Sequence, residues 1–278
     1  MSEAQPVLGV IGGSGLYRLP GADVIDSRRV ETPYGATSAP VTLARLGGRE
    51  IAFLPRHGTT HALPPHRINY RANLWALASL GVEAVLSSAA VGSLSPDHRP
   101  GQFAVVTDVL DRTSGRADTF YDGTNDAGVQ HLQTTQVWCP HLRAALIRAL
   151  NRHDEDHRDR AVLAVINGPR FTSEAESAWL RSAGADLVSM TQYPEAVLAA
   201  ELNLGYATLA YVTDADTGHD GSEPVSAQLV FDRLAAAQER VLAVLGTVAA
   251  DWEEPYRSPR AMDPQAVARV LAQPVVAA

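Results

Sequence analysis

The chain has 278 residues, 46% of them hydrophobic and only 6% aromatic, with a formal net charge of −8 and a single cysteine, Cys139. That length suits one large α/β unit whose core is built from Ala, Val and Leu. The acidic balance argues against a nucleic-acid partner, and one cysteine excludes an intrachain disulfide.

Short apolar runs alternate with helical patterns, which predicts a layered α/β fold. The first predicted strand, 7–11, runs into "GVIGGSGLY" (9–17). Glycines there let backbone N–H groups approach a ligand, and Ser14 adds a hydroxyl. A structural turn and a phosphate loop both fit these residues. A nicotinamide-dependent oxidoreductase is the rival from another class, but the G-x-G-x-x-G spacing is absent.

Strands are predicted at 41–46 and 51–55, the second ending in "PRHG" with Arg56 and His57. Arginine's planar fork suits phosphate, and a surface ion pair is the alternative. The chain has no lysine, so all 23 basic residues are arginine. Any anion must then be held by arginine, histidine, hydroxyls and backbone. His57, His61 and His66 suggest a metal, but Pro64 and Pro65 interrupt the helix that such a site would need, so no metal is expected. A helix over 68–80 carries Leu74, Leu77 and Leu80 at helical spacing and stops at Gly81.

Strand 82–88 leads to "SSAAVGSL" (87–94), which reads as a small-residue turn offering Ser88 and backbone to a ligand. A strand at 103–107 and a helix at 140–152 follow. "RHDEDHRDR" (152–160) mixes both charge signs and predicts a solvated connection. After strand 161–166, "TSEAES" reads as an N-cap opening a helix at 173–183. Strand 185–190 ends in Met190 and Thr191, before a helix at 194–203. Strand 206–213 ends in "VTDADTG" (212–218). If the strand persists to 216, Asp214 and Asp216 share a face, about 7 Å apart. Burial beside a like charge would keep one acid protonated near neutrality, fit to protonate an aminopurine ring; a plain turn also fits. A helix over 226–250 and a tail, 251–278, complete the chain. No apolar run reaches membrane-spanning length and the start lacks a signal-peptide pattern, so a cytoplasmic protein without a membrane partner is expected.

Ten stretches stand in one order: "IGGSG", "TPYG", "PRHG", "HRINYRANLWAL", "GSL", "DRT", "FYDG", "GPRF", "SMTQYPE" and "VTDAD". In this the chain resembles the trimeric purine nucleoside phosphorylase family, in its 5'-methylthioadenosine phosphorylase branch. The resemblance implies one α/β domain (1–250) with a mixed central sheet surrounded by helices; the proline-containing tail (251–278) fits either a segment that wraps a neighbouring subunit or a partly disordered one. It implies a pentosyltransferase that needs no cofactor, with inorganic phosphate as co-substrate and a nucleoside as the other partner. Ser14, Arg56, His57, Ser88, Ala89 and Thr191 would hold phosphate. Ala90, Phe171, Thr172, Met190, Val225 and Ala227 would contact the nucleoside, with His131 lent to a neighbour's 5' pocket. Asp214 and Asp216 would be the catalytic pair at the base.

In 6-oxopurine relatives a glutamate follows "GPRF" and an asparagine stands at the position of Asp214. Thr172 and Asp214 occupy those places here, which implies a 6-aminopurine. The implied reaction is phosphorolysis of 5'-methylthioadenosine or a close analogue. A 5'-halo-5'-deoxyadenosine, a 6-oxopurine nucleoside or methylthioinosine are the alternative substrates, and a non-catalytic nucleoside-binding protein is a further one.

Overall fold

The computed structural model describes residues 7–252 and 256–275. Its fold is an α/β domain with a mixed sheet that helices cover on both faces. Strand β1 (Leu8–Gly12) lies between β4 (Arg49–Pro55) and β5 (Ala84–Ser93), parallel to both. Antiparallel β3 (Val41–Leu46) and β2 (Asp23–Arg28) extend the sheet beyond β4. On the far side, β10 (Leu187–Ser189) joins β5 antiparallel, followed by parallel β9 (Val162–Ile166) and β7 (Asp108–Arg112). β11 (Gly205–Asp214) runs parallel to β5 and takes β6 (Phe103–Val105) on its outer edge, with β8 (His157–Arg158) beyond it.

The register of β5 sets where a ligand can go. One edge of the strand pairs with β1 over Ala84–Ser87, and the same edge pairs with β10 only at Gly92 and Ser93. Between them, 88–91 carry no strand on that edge, although β11 continues along the other. The sheet is therefore split where the parallel strands β1 and β4 end, a position at which α/β sheets receive ligands.

One face of the sheet packs against α1 (Tyr70–Ser79), α4 (Gln192–Glu201) and α6 (Pro264–Leu271). The other packs against α2 (Pro140–Arg152) and α5 (Ala227–Ala250), while α3 (Glu174–Ser182) covers a smaller cluster around Leu94 and Val188. Asn69 caps α1 by accepting from the Ala72 N–H, and Gly81 ends it at φ +89. Ser173 and Glu176 close a capping box on α3. Among the described residues, no helix is long and apolar enough to cross a membrane.

Three expectations need correction. The "SSAAVGSL" stretch is strand through Ser93, because its small residues let β10 and β11 both close on β5. β11 ends at Asp214 after an irregularity between Val212 and Asp214, so Asp216 is not a strand residue. The charged 152–160 connection includes β8, whose two residues are half-buried. The tail, over its described residues 256–275, docks on its own chain. Trp75 Nε1 donates to the Val270 carbonyl at 3.0 Å, and Ala266 and Val270 are fully buried. Residues 1–6, 253–255 and 276–278 of the expected domain and tail lie outside the described residues.

Candidate active site

A cavity of about 280 Å³ opens at the split in the sheet. Its floor is the unpaired edge of β5, at Ala89, Ala90 and Val91. The ends of β1, β4, β10 and β11 supply the surrounding side chains, which gather at two poles.

The first pole is cationic and hydroxylic. Ser14, Arg56, His57 and Thr191 border it. Arg56 is 1% exposed and forms a bidentate pair with Glu195, Nε to Oε2 at 2.6 Å and Nη2 to Oε1 at 2.7 Å. Burial opposes the Arg56 charge, and the Glu195 carboxylate more than offsets this, holding its pKa above the ordinary arginine value. His57 is buried, stacks on His61 with ring centroids 4.4 Å apart, and places Nδ1 2.9 Å from the Leu63 carbonyl. Burial, with the nearby Arg56 charge, pushes its pKa down to about 3, so the ring is neutral. Such a ring donates from Nδ1 and leaves Nε2 as an acceptor.

Ser88 differs from expectation. Its hydroxyl accepts from the Gly13 N–H at 2.9 Å and its carbonyl accepts from Arg56 Nη1 at 3.0 Å. It therefore holds the glycine loop against Arg56 and lines a small adjoining space with Ser14, not the main cavity. A Cβ at Gly13 would lie 2.4 Å from the Ser88 oxygen, which is why the loop needs glycine there.

The second pole is acidic. Asp214 and Asp216 are 3% and 2% exposed and both face the cavity. Asp214 Oδ1 accepts the Asp216 N–H at 2.9 Å, and Oδ2 accepts the Thr213 hydroxyl at 2.7 Å. Asp216 adopts φ +52, a left-handed turn that aspartate tolerates, and this aims its carboxyl back beside Asp214. "DADTG" is thus a turn, but a buried one. Burial, reinforced by the Asp216 charge and resisted by the two hydrogen bonds, raises Asp214 to about 6. Thr172 donates to Asp216 Oδ1, whereas Asp216 Oδ2 is buried without a partner among the described residues. A buried, unpaired carboxylate oxygen is costly, and a ligand donor would satisfy it.

The wall between the poles is apolar and lies partly open. Met190 sits on it, Phe171 stands at the mouth with 37% exposure, and Ala227, Val230 and Phe231 project from the N-terminal end of α5. Val225 does not reach the cavity. It precedes the N-cap Ser226, so the inward positions are 227, 230 and 231, and its N–H is spent on the Asp216 carbonyl at 2.9 Å. His131 is exposed on the loop after the Asp122–Val129 bridge and is not on this chain's cavity wall. Among the described residues, no cluster of three or more His, Cys, Asp or Glu could hold a metal.

The sequence reading missed Glu195, Ser87, Thr213, Val230 and Phe231. Glu195 carried a usable signal: α4 is apolar on every side, so a charge inside it has to be buried and paired.

A cavity at the split of a mixed sheet, with a cationic and hydroxylic pole facing a buried acid pair, is the arrangement of an α/β enzyme's active site. The chain matches the family model described as the phosphorylase superfamily over residues 7–250. It is 49% identical over 225 residues to the S-methyl-5'-thioadenosine phosphorylase of Mycolicibacterium smegmatis, covering 81% of this chain and 83% of that protein. It is 45% identical over 249 residues to the purine nucleoside phosphorylase of Streptomyces coelicolor, covering 88% of each. Among solved structures, the methylthioadenosine phosphorylase of Schistosoma mansoni in complex with adenine superposes with a TM-score of 0.84 at 33% identity, covering 88% of this chain and 91% of that one. The chain belongs to the phosphorylase superfamily and is an enzyme of the pentosyltransferase type.

Proposed function

We propose that the protein cleaves 5'-methylthioadenosine with inorganic phosphate, giving adenine and 5-methylthioribose 1-phosphate. The observation that carries this reading is the buried acid pair: one carboxyl raised to about 6, the other with an unsatisfied oxygen. Adenine offers what such a pair needs, an exocyclic amine that donates and a ring nitrogen that accepts. Asp214 protonates the leaving base at N7, and Asp216 Oδ2 accepts from the 6-amino group. Cleavage of the C–N bond builds positive charge on the ribose. Phosphate at the opposite pole, held by Arg56, Ser14, Thr191 and the backbone at Ala89, offsets that charge and attacks the anomeric carbon. Neutral His57 receives a hydrogen bond from a phosphate hydroxyl. Met190 and Ala90 pack against the ribose, and Phe171 covers the base. No metal or redox cofactor takes part in this scheme.

A second reading, a 5'-halo-5'-deoxyadenosine, rests on the wall that α5 presents. Ala227, Val230 and Phe231 form an apolar surface that accepts a methylthio or a halogen substituent alike. The resemblance of the sequence motifs supports a homotrimer, with His131 completing a neighbour's site, and a cytoplasmic role in salvaging adenine and the thiopentose. Light scattering of the purified protein tests the trimer.

The deciding experiment is adenine release from methylthioadenosine with and without phosphate, repeated with inosine and the 5'-chloro analogue. We expect release only with phosphate, and little from inosine. Release that ignores phosphate, or none at all, would remove the proposal.

A further inference from the structure

The guanidinium of Arg56 has five N–H donors, and four are already engaged within the protein. Nε and one Nη2 hydrogen go to Glu195, the second Nη2 hydrogen to Ser87 Oγ at 2.5 Å, and one Nη1 hydrogen to the Ser88 carbonyl at 3.0 Å. A single Nη1 hydrogen is left for a ligand. Glu195 is itself fixed: its Oε1 also accepts from Tyr206 OH at 2.7 Å and from Ser87 Oγ at 3.1 Å. It is 0% exposed on α4 and does not border the cavity.

From this geometry we infer that Glu195 is a positioning residue for phosphate. It locks the Arg56 fork so that one N–H faces the anion, and it offsets the guanidinium charge. The pocket then selects its anion by hydrogen-bond direction, not by the pull of a mobile cation. Tyr206 and Ser87 form the outer supports of the same lock. This inference rests on the reading that Arg56 borders the phosphate site.

Steady-state kinetics of Glu195→Gln, Glu195→Asp and Tyr206→Phe test it, with phosphate and nucleoside varied separately. Gln keeps the size but turns an amide N–H toward an arginine donor, so the fork is lost. We expect its KM for phosphate to rise about tenfold or more, the loss of roughly one charge-assisted bond. The nucleoside KM should stay within about twofold, since the acid pole is untouched. Asp, which keeps the charge on a shorter arm, should lie between Gln and the wild type. Tyr206→Phe, which leaves the ion pair intact, should give a smaller rise of the same kind. If Glu195→Gln does not fold, the Asp and Phe variants carry the test alone.

A purely structural role predicts fewer active molecules, hence lower kcat with both KM values unchanged, and that result overturns the inference. Arg56→Gln, run in parallel, separates the levels. If it raises the phosphate KM while the Glu195 and Tyr206 variants do not, only the positioning role falls. If it leaves the phosphate KM unchanged, the assignment of the anion pole falls and the inference with it.

Discussion

Replacing Asp214 by Asn keeps the side chain's size and its bond from the Asp216 N–H but removes the proton that leaves with the base. Activity on methylthioadenosine should fall about 10²-fold or more, the usual loss for a general acid. The sign of the pH effect follows from the raised pKa. Asp214 stays protonated up to about pH 6, so wild-type kcat/KM should decline as pH rises beyond that value. Asp214→Asn should lack that limb and should gain measurable inosine cleavage, because its amide can donate to O6. A variant that kept both the rate and the alkaline limb would end the role given to Asp214. At this scale the acid pair was legible, since two carboxylates at the end of an apolar run are either exposed or at work on a ligand. How they are held was not. The left-handed backbone of Asp216 and the Thr213 and Thr172 hydroxyls depend on contacts from residues far away in sequence. The sequence marks His57 as an anion holder, and only its surroundings reveal that the ring is neutral.

β5 and β11 bring the acid pair to the cavity, and the fit between them depends on one glycine. Gly92 is the register partner of Asp214, and a Cβ there would lie 2.8 Å from Asp214 Oδ1 and 3.2 Å from Val188 Cγ1. Gly92→Ala should push the Asp214 carboxyl out of line and cost about 10²-fold in kcat/KM, as small misplacements at a reacting centre do. Overpacking should cost only about 1–3 kcal/mol of stability, so the protein should still fold. Circular dichroism and kinetics on the same preparation check both statements; an unimpaired enzyme would show that the strands can yield. Elements with strong periodicity were readable: α2 and β3 fall at their predicted bounds. Two missed strands share a cause. β2 and β7 end the main run of the sheet and carry the charges that protect open edges, so their sequences, "DVIDSR" and "DVLDR", look like loops. The helix α6 did announce itself, with Asp263 at the N-cap and Pro264 at N1 before "QAVARVL". The prolines around it masked that signal.

Across the whole molecule, the two poles act on stability in opposite directions as pH changes. Asp214 titrates at about 6 when folded, against an ordinary 3.8. Between those values the folded chain holds a proton that the unfolded chain has released, so this contribution is lost as pH rises. His57 titrates at about 3 when folded, against 6.5. Its contribution is complete above pH 6.5 and is lost as pH falls. From about pH 4 to 6 the two slopes have equal size and opposite sign, and they cancel in the wild type. Removing the acid in Asp214→Asn leaves the histidine contribution without that opposing slope, roughly 1.4 kcal/mol per pH unit. Urea unfolding at matched protein concentration, from pH 4 to 6.5, checks this. The stability of the variant relative to the wild type cancels the titrating groups remote from Asp214, and it should rise with pH by on the order of 2–3 kcal/mol, then stay level above pH 6.5. A gap that did not change with pH would mean that Asp214 is ionised in the folded protein. The reading of the acid pole as a proton donor to a purine would fall with it.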